Sequence, residues 1–282
     1  MGLDHPPPST QHPRPTLRVL ALESRRAEEM AKLIANNGGL PTVAPSMREV
    51  PLESNTAALS FAAGLIEGSF DMVIFLTGVG TRALARVVET VWPLDRFVAA
   101  LQRVTVVARG PKPVAALREL GVPVTIAVPE PNTWRELLKA LEPVPLDGRR
   151  VAVQEYGVSN PELLAGLEHR GARVTRVPVY QWALPADTGP LRAAVAGLAR
   201  GEFDVVLFTT SIQVTHLLQV AAEMDLEDAV RQALGRLLVA SIGPTTTEAL
   251  REHGLDAHFE PSHPKMGLLV KEAADHASSQ VK

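Results

Sequence analysis

The sequence predicts an α/β protein made of two similar parallel-sheet α/β lobes, derived from an internal duplication and joined by a two-segment β-ladder linker. Three observations predict it: the chain repeats itself, short β-branched runs alternate with amphipathic helices, and two Pro-punctuated extended segments occupy equivalent places. Repeats of this length are domain-sized rather than solenoid units.

The repetition is explicit. Residues 107–121 read VARGPKPVAALRELG and residues 240–254 read ASIGPTTTEALREHG, with Gly110/Gly243, Pro111/Pro244, Ala116/Ala249, Leu117/Leu250, Arg118/Arg251, Glu119/Glu252 and Gly121/Gly254 identical. At the same spacing EGSFDMVIFLTGVGTRAL (67–84) aligns with RGEFDVVLFTTSIQVTHL (200–217), matching Asp71/Asp204, Phe75/Phe208 and Thr77/Thr210 among others. LRVLALES (17–24) aligns with RRVAVQEY (149–156), matching Arg18/Arg150, Val19/Val151 and Glu23/Glu155.

Each half reads as strand and helix in alternation. RVLAL, DMVIFL and VTVVA are apolar and β-branched, as strands buried on both faces must be. RAEEMAKLIANNGG between the first two is amphipathic and ends in glycine, as a helix closed at C′ does. Such alternation implies parallel sheets with right-handed crossovers.

In such sheets ligands bind beyond the carboxyl ends of the strands, where helices begin. That rule places Ser24 and Arg25 at a rim, with Glu155, Tyr156 and Gly157 at the matching position. It places Thr77, Gly78, Val79 and Gly80 opposite Thr209, Thr210, Ser211 and Ile212, and Arg109, Gly110, Pro111 and Lys112 opposite Ile242, Gly243, Pro244 and Thr245. Small and hydroxylic residues at helix starts leave backbone N–H groups that attract anions. Glycine permits the tight strand-to-helix turn, and proline suits the first helical turn, where its missing N–H costs nothing. Any α/β protein can use one such helix start; two copies beside four similar rims point to an anion-binding cleft.

VAPSMREVPLES (43–54) and RVTRVPVYQWALPA (173–186) both lead away from the first β-α unit of their half. Read as hinge strands, they divide the chain into lobe 1 (17–43 and 187–275), lobe 2 (54–172), linkers at 44–53 and 173–186, and tails at 1–16 and 276–282. A double linker allows one lobe to close toward the other over a ligand.

Composition narrows the function. A net charge of −3 gives no pull toward nucleic acid or an anionic membrane surface, and 4% aromatics supply few stacking platforms. With no cysteine, thiol catalysis, disulfides and thiolate metal sites are excluded. No apolar run reaches membrane length. The start, MGLDHPPPSTQHPRPT, has neither a basic region nor an apolar one, so no secretory signal is expected and the cytoplasm is the expected location.

Familiar catalytic motifs are missing. There is no GxxxxGK[ST] loop and no GxSxG elbow, and TGVGTRA is a weak dinucleotide fingerprint without its third glycine. His258 and His263 flank Glu260 at a spacing that fits no helical zinc pair. Asp71 and Asp204 precede their strands, at the edge away from the rim, and are expected to be structural. Glu23 and Glu155 lie at the rim, one per half, which is little for acid–base work. Tyr180, in VPVYQW on the second linker, is a candidate hydrogen-bond donor facing the cleft.

The combination of Ser24-Arg25 after the first strand, VPVYQ (177–181), LFTTSIQV (207–214) and SIGPTTTEALREHGL (241–255) resembles the uroporphyrinogen-III synthase family. The resemblance runs from about Thr16 to about Ala273. It implies a two-lobed cyclase, a hydro-lyase that closes hydroxymethylbilane to uroporphyrinogen III with inversion of ring D and loss of water, a step toward haem, sirohaem or cobalamin. It also implies that no cofactor or metal is needed and that the only partner is a linear tetrapyrrole bound by a monomer, with no nucleic acid and no membrane.

By match to the family's motifs, Tyr180 would assist departure of the hydroxyl. Ser24, Arg25, Thr77, Gly78, Val79, Arg109, Gly110, Tyr156, Gly157, Thr209, Thr210, Ser211, Ile212, Gly243, Pro244, Thr245 and Thr246 would bind the substrate's carboxylates, largely through backbone N–H groups. The chain departs from the family in having Arg26 where a proline is usual and YGVSN where a basic, glycine-rich stretch is usual. The alternatives are a non-catalytic two-lobed module for a polyanionic small molecule and a nucleotide-sugar or phosphosugar transferase.

Overall fold

Apolar runs four or five residues long, closed by turns at glycine, build the sheets. The computed structural model describes residues 16–50, 52, 55–155, 157 and 159–280. The first half runs β1 (Arg18–Ala21), α1 (Ala27–Asn36), β2 (Leu40–Val43), β3 (Arg48–Val50), α2 (Thr56–Ile66), β4 (Met72–Phe75), α3 (Gly78–Glu89), α4 (Leu94–Leu101), β5 (Thr105–Ala108) and α5 (Pro111–Glu119). After β6 (Ile126–Ala127) and α6 (Trp134–Ala140) the same order recurs. It runs β7 (Arg150–Gln154), α7 (Pro161–His169), β8 (Arg173–Val177), β9 (Gln181–Ala183), α8 (Gly189–Ala199), β10 (Val205–Phe208), α9 (Ile212–Glu223), α10 (Glu227–Leu234), β11 (Leu238–Ser241) and α11 (Pro244–Glu252). A final helix, α12 (Met266–Gln280), follows a single parallel bridge of Phe259 to Ala240, in the place that β6 and α6 take in the first half.

Two compact units result. The first holds the described residues through Pro45, Gly189–Ile242 and those from Ala249 on; the second holds Ser46–Thr188 with Gly243–Glu248. The first contains a parallel sheet of order β11-β10-β1-β2, the second a parallel sheet of order β6-β5-β4-β7-β8. The strands at the centre of each sheet therefore come from both halves of the chain: β10 lies beside β1, and β4 beside β7.

The central strands dictate the layering. All four residues of β4, and all four of β10, are buried, so helices must cover both faces. In the second unit Val73 and Phe75 pack with Phe61, Phe97 and Leu117 on one face, while Met72 and Ile74 pack with Leu137, Leu163 and Leu167 on the other. In the first, Val205 and Leu207 pack with Met30, Ile34, Leu269 and Ala273.

The amino ends of both sheets carry the same bridge. Asp71 Oδ2 accepts from the Arg150 backbone N–H at 2.9 Å and from its Nε at 3.1 Å, and Oδ1 accepts from Nη2 at 2.8 Å. Asp204 accepts from the corresponding atoms of Arg18 at 2.8, 3.1 and 2.8 Å. The carboxylates are thus structural, as expected, but they brace the neighbouring strand rather than cap a turn. The charge-assisted bonds from Arg150 hold the Asp71 carboxyl at about 2, and those from Arg18 lower that of Asp204.

Several boundaries differ from expectation. Arg173–Val177, expected in the second linker, is the outer strand β8, paired with β7 over its whole length. What remains of the linkers forms a short antiparallel ladder of β3 on β9, Arg48 opposite Ala183 and Val50 opposite Gln181. The C-terminal tail expected at 276–282 is helical as far as Gln280, because Leu269, Val270, Ala273 and Ala277 recur at helical spacing and enter the core. The expected N-terminal tail lies outside the described residues, apart from Thr16.

A folded carboxyl held near 2 against an ordinary value of 3.8 stabilises the fold above about pH 4, and this contribution disappears as pH falls toward 2. Asp71→Asn is expected to lower unfolding stability at pH 7 by about 1 kcal/mol, discounted for the water that reaches the pair. Denaturant titrations across pH 2.5–6 should show the two proteins converging in acid; an equal gap throughout that range would rule the bridge out as its source.

Candidate active site

At the carboxyl end of each sheet three loops leave adjacent strands. In the second unit these follow β4, β5 and β7, with Phe75 level with both Ala108 and Gln154. Thr77 caps α3, its hydroxyl accepting from Gly80 N–H at 3.0 Å. The Tyr180 hydroxyl lies 3.4 Å from the same Thr77 Oγ1, and Tyr180 is otherwise packed into the core, 5% exposed. Gly78 and Gly80 are buried and Val79 is half-buried, so the start of α3 is a close-packed backbone surface. A Cβ on Gly78 would come 2.5 Å from the carbonyl oxygen of Lys112 in α5.

Arg109 follows β5, and its backbone N–H is tied to Phe75 O at 2.9 Å. Gly110 adopts φ +95, open only to glycine, and Pro111 begins α5. The side chain of Asn132 fills the space beside it: a Cβ on Gly110 would lie 2.6 Å from Asn132 Oδ1. Asn132 belongs to the turn that leads into α6, whose Thr133 and Glu136 form a capping box. This β6–α6 turn covers the Gly-Pro start of α5. Gly157 follows β7 with φ +63, against the ring of Trp182. Tyr156 lies outside the described residues.

The sheet of the first unit ends at its own rim after β1, β10 and β11, although the segment after β11, Gly243–Glu248, groups with the second unit. Buried Glu23 accepts from Arg25 N–H at 3.0 Å and Arg26 N–H at 3.2 Å, and from the Thr209 hydroxyl at 2.7 Å. Ser24 is half-buried and Arg25 is exposed. Thr209 N–H donates to Gln213 Oε1 at 2.7 Å, so both polar groups of Thr209 are engaged within the unit. Thr210 and Ser211 are half-buried at the start of α9, where Ser211 makes no side-chain cap, and Ile212 is buried. After β11, Gly243 and Pro244 open α11, with Thr246 and Thr247 N–H closing its first turn onto Gly243 O at 3.0 and 3.1 Å. Thr245 is half-buried and Thr246 buried.

Buried glutamines were missed by the motif reading. In the first unit Gln213, on α9, receives the Thr209 N–H and donates to Leu22 O at 3.0 Å. In the second unit Gln154, at the end of β7, receives the Thr77 N–H at 3.4 Å and donates to Glu155 O. The sequence repeat aligns Gln213 with Gly80 and Gln154 with Leu22. One amide therefore occupies the same place in each unit, supplied once from the helix and once from the strand. Gly80 is obligatory for this reason: a Cβ there would overlap the Gln154 amide.

The rim carboxylates are engaged as well. Glu155, counterpart of Glu23, is buried against Ser159 Oγ at 2.7 Å and Arg176 Nε at 2.9 Å. Donating to the Glu155 carboxylate raises the Arg176 guanidinium. Each rim thus offers hydroxyl and backbone donors rather than a carboxylate pair. Among the described residues no set of three His, Cys, Asp or Glu side chains could hold a metal ion, and no helix is long and apolar enough to cross a membrane.

Known proteins share this architecture. The family model described as uroporphyrinogen-III synthase HemD matches residues 28–271. The chain is 33% identical over 260 residues to an uncharacterized protein, YjjA, of Bacillus subtilis, covering 92% of this chain and 95% of that one. It is 33% identical over 234 residues to a putative uroporphyrinogen-III synthase of Methanothermobacter thermautotrophicus, covering 82% and 87% respectively. Among solved structures, a mutant uroporphyrinogen III synthase from Thermus thermophilus matches with a TM-score of 0.73 at 26% identity, over 95% of this chain and 100% of that one.

The reciprocal glutamines are open to a direct test. Gly80→Ala is expected to destabilise the protein by about 1–3 kcal/mol through overpacking against a buried amide. Gly80→Gln combined with Gln154→Leu rebuilds the arrangement of the first unit and should recover much of the loss seen with Gly80→Gln alone. Denaturant midpoints of the variants decide it, and strictly additive losses would show that the two positions do not share one amide site.

Proposed function

The chain belongs to the uroporphyrinogen-III synthase family, and on that premise we propose that it closes hydroxymethylbilane to uroporphyrinogen III with inversion of ring D and loss of water. The observation that carries the reading is the family match across residues 28–271. The donor-rich rims agree with it, because every ring of the substrate carries carboxylates.

In this reaction the hydroxymethyl C–O bond breaks and the hydroxyl leaves as water, taking up a proton. The resulting cation is delocalised over its pyrrole. Attack by the last ring at its substituted carbon gives a spiro intermediate, which fragments and recloses; a ring carbon then gives up the proton that balances the water lost. The unassisted precursor closes directly to the type I isomer, so the protein's task is orientation and shielding of the cation.

We assign the assisting donor to Tyr180. Its ring is packed in the second unit's core while its hydroxyl reaches the rim beside Thr77, a placement suited to donating a hydrogen bond to the departing oxygen. Thr77, Gly78, Val79, Arg109, Gly157, Ser24, Arg25, Thr210, Ser211, Ile212, Gly243, Pro244, Thr245 and Thr246 are proposed to meet carboxylates, backbone N–H groups and helix dipoles supplying most of the attraction. Thr209 is proposed to act indirectly, by holding Glu23 and Gln213 in place. Gly110, covered by Asn132, contributes the turn of α5. No cofactor enters the proposed reaction.

Purified protein supplied with enzymatically generated hydroxymethylbilane is expected to shift the product from the type I toward the type III isomer. An unchanged isomer ratio would defeat the proposal. Tyr180→Phe is expected to lower kcat by at least about tenfold, as loss of a proton-donating group does, with an unchanged circular dichroism spectrum.

A further inference from the structure

Resting on the reading of Tyr180 as the assisting donor, we infer that Trp182 is a positioning residue that sets the plane of the Tyr180 ring and thereby the direction of its hydroxyl. Tyr180 immediately precedes β9 and Trp182 is the middle residue of that strand, held opposite Glu49 of β3. Residues two apart along an extended chain share a face. The two rings meet edge to face, with centroids 5.3 Å apart and planes at 86°.

Val177 and Val179 belong to the same buried cluster as Tyr180 and exclude water from its ring. Aliphatic contacts exclude water but leave a phenol ring free to choose its tilt, whereas an edge-to-face aromatic partner favours one tilt over others. Trp182 is itself fixed from a second side. Gly157, in the turn after β7, has φ +63 and lies against the indole so closely that a Cβ would overlap Cδ1 and Nε1. The turn after β7, the ladder strand β9 and the capping threonine of α3 therefore converge on the Tyr180–Trp182 ring pair. Trp182 acts through Tyr180 and is not placed against the reacting atoms.

The test is a cycle of Trp182→Ala, Tyr180→Phe and the double variant, with kcat, KM and isomer ratio measured for each on hydroxymethylbilane. Trp182→Ala is expected to lower kcat by several-fold to roughly tenfold, the range of an aromatic pair, while KM stays within about twofold. In the Tyr180→Phe background the same substitution should change kcat little, and Trp182→Phe should restore most of the rate. An equal loss of kcat in both backgrounds, or a rise in KM alone, would overturn the positioning role while leaving the Tyr180 assignment intact. Wild-type turnover by Tyr180→Phe would instead remove Tyr180 from the reaction, and the role of Trp182 with it. If circular dichroism shows that Trp182→Ala does not fold, Trp182→Leu replaces it in the same cycle, and equal rates for Leu and Phe at this position count against the inference.

Discussion

Bidentate pairing of Asp71 with Arg150, and of Asp204 with Arg18, ties the central strand of each sheet to its neighbour at the amino end. In both sheets that neighbour is distant in sequence, so no short turn sets the register. A slip of one residue would turn every buried side chain of β4 or β10 to the opposite face. The carboxylate reads both the backbone N–H and the guanidinium of the first residue of the adjoining strand, which is possible in a single register. Everything at the opposite edge, about four residues away, inherits its level from that contact.

The two rims are alike in plan and different in detail. Glu23 caps the backbone after β1, whereas Glu155 turns to Arg176 and Ser159. At the start of α5, Asn132 fills the space beside Gly110. Similar frames are thus furnished differently, with hydroxyls and glycine in one place and arginine or asparagine in another. Such divergence agrees with the proposed substrate, whose rings are chemically similar but treated unequally in the proposed reaction.

Much of this was legible in the residues. The β-branched runs located the central strands, and the paired Gly-Pro steps located α5 and α11, because glycine and proline each restrict the backbone in a way that few contexts tolerate. What escaped depends on contacts between segments far apart in the chain. Arg173–Val177 carries charges on an edge strand and so lacks the apolar signature of its inner neighbours. Gln154 and Gln213 resemble ordinary polar residues until the strand ends meet. Asn132 gains its role only because Gly110 lies beside it.

The placement of the two glutamines bears on how the chain selects its own topology. Both come from the second half of the sequence, and the first half supplies Leu22 and Gly80 at the matching positions. Since each sheet draws strands from both halves, each receives one amide. Sheets assembled from contiguous halves would be mismatched: one would bury two glutamines at a site with room for one, and the other would bury a strand-end N–H with no acceptor. Either defect costs on the order of 1–3 kcal/mol. The Asp–Arg bridges cannot make this distinction, because each half carries both partners. A pair of amides, placed asymmetrically, thus disfavours the simpler arrangement in which each half of the sequence would form its own sheet.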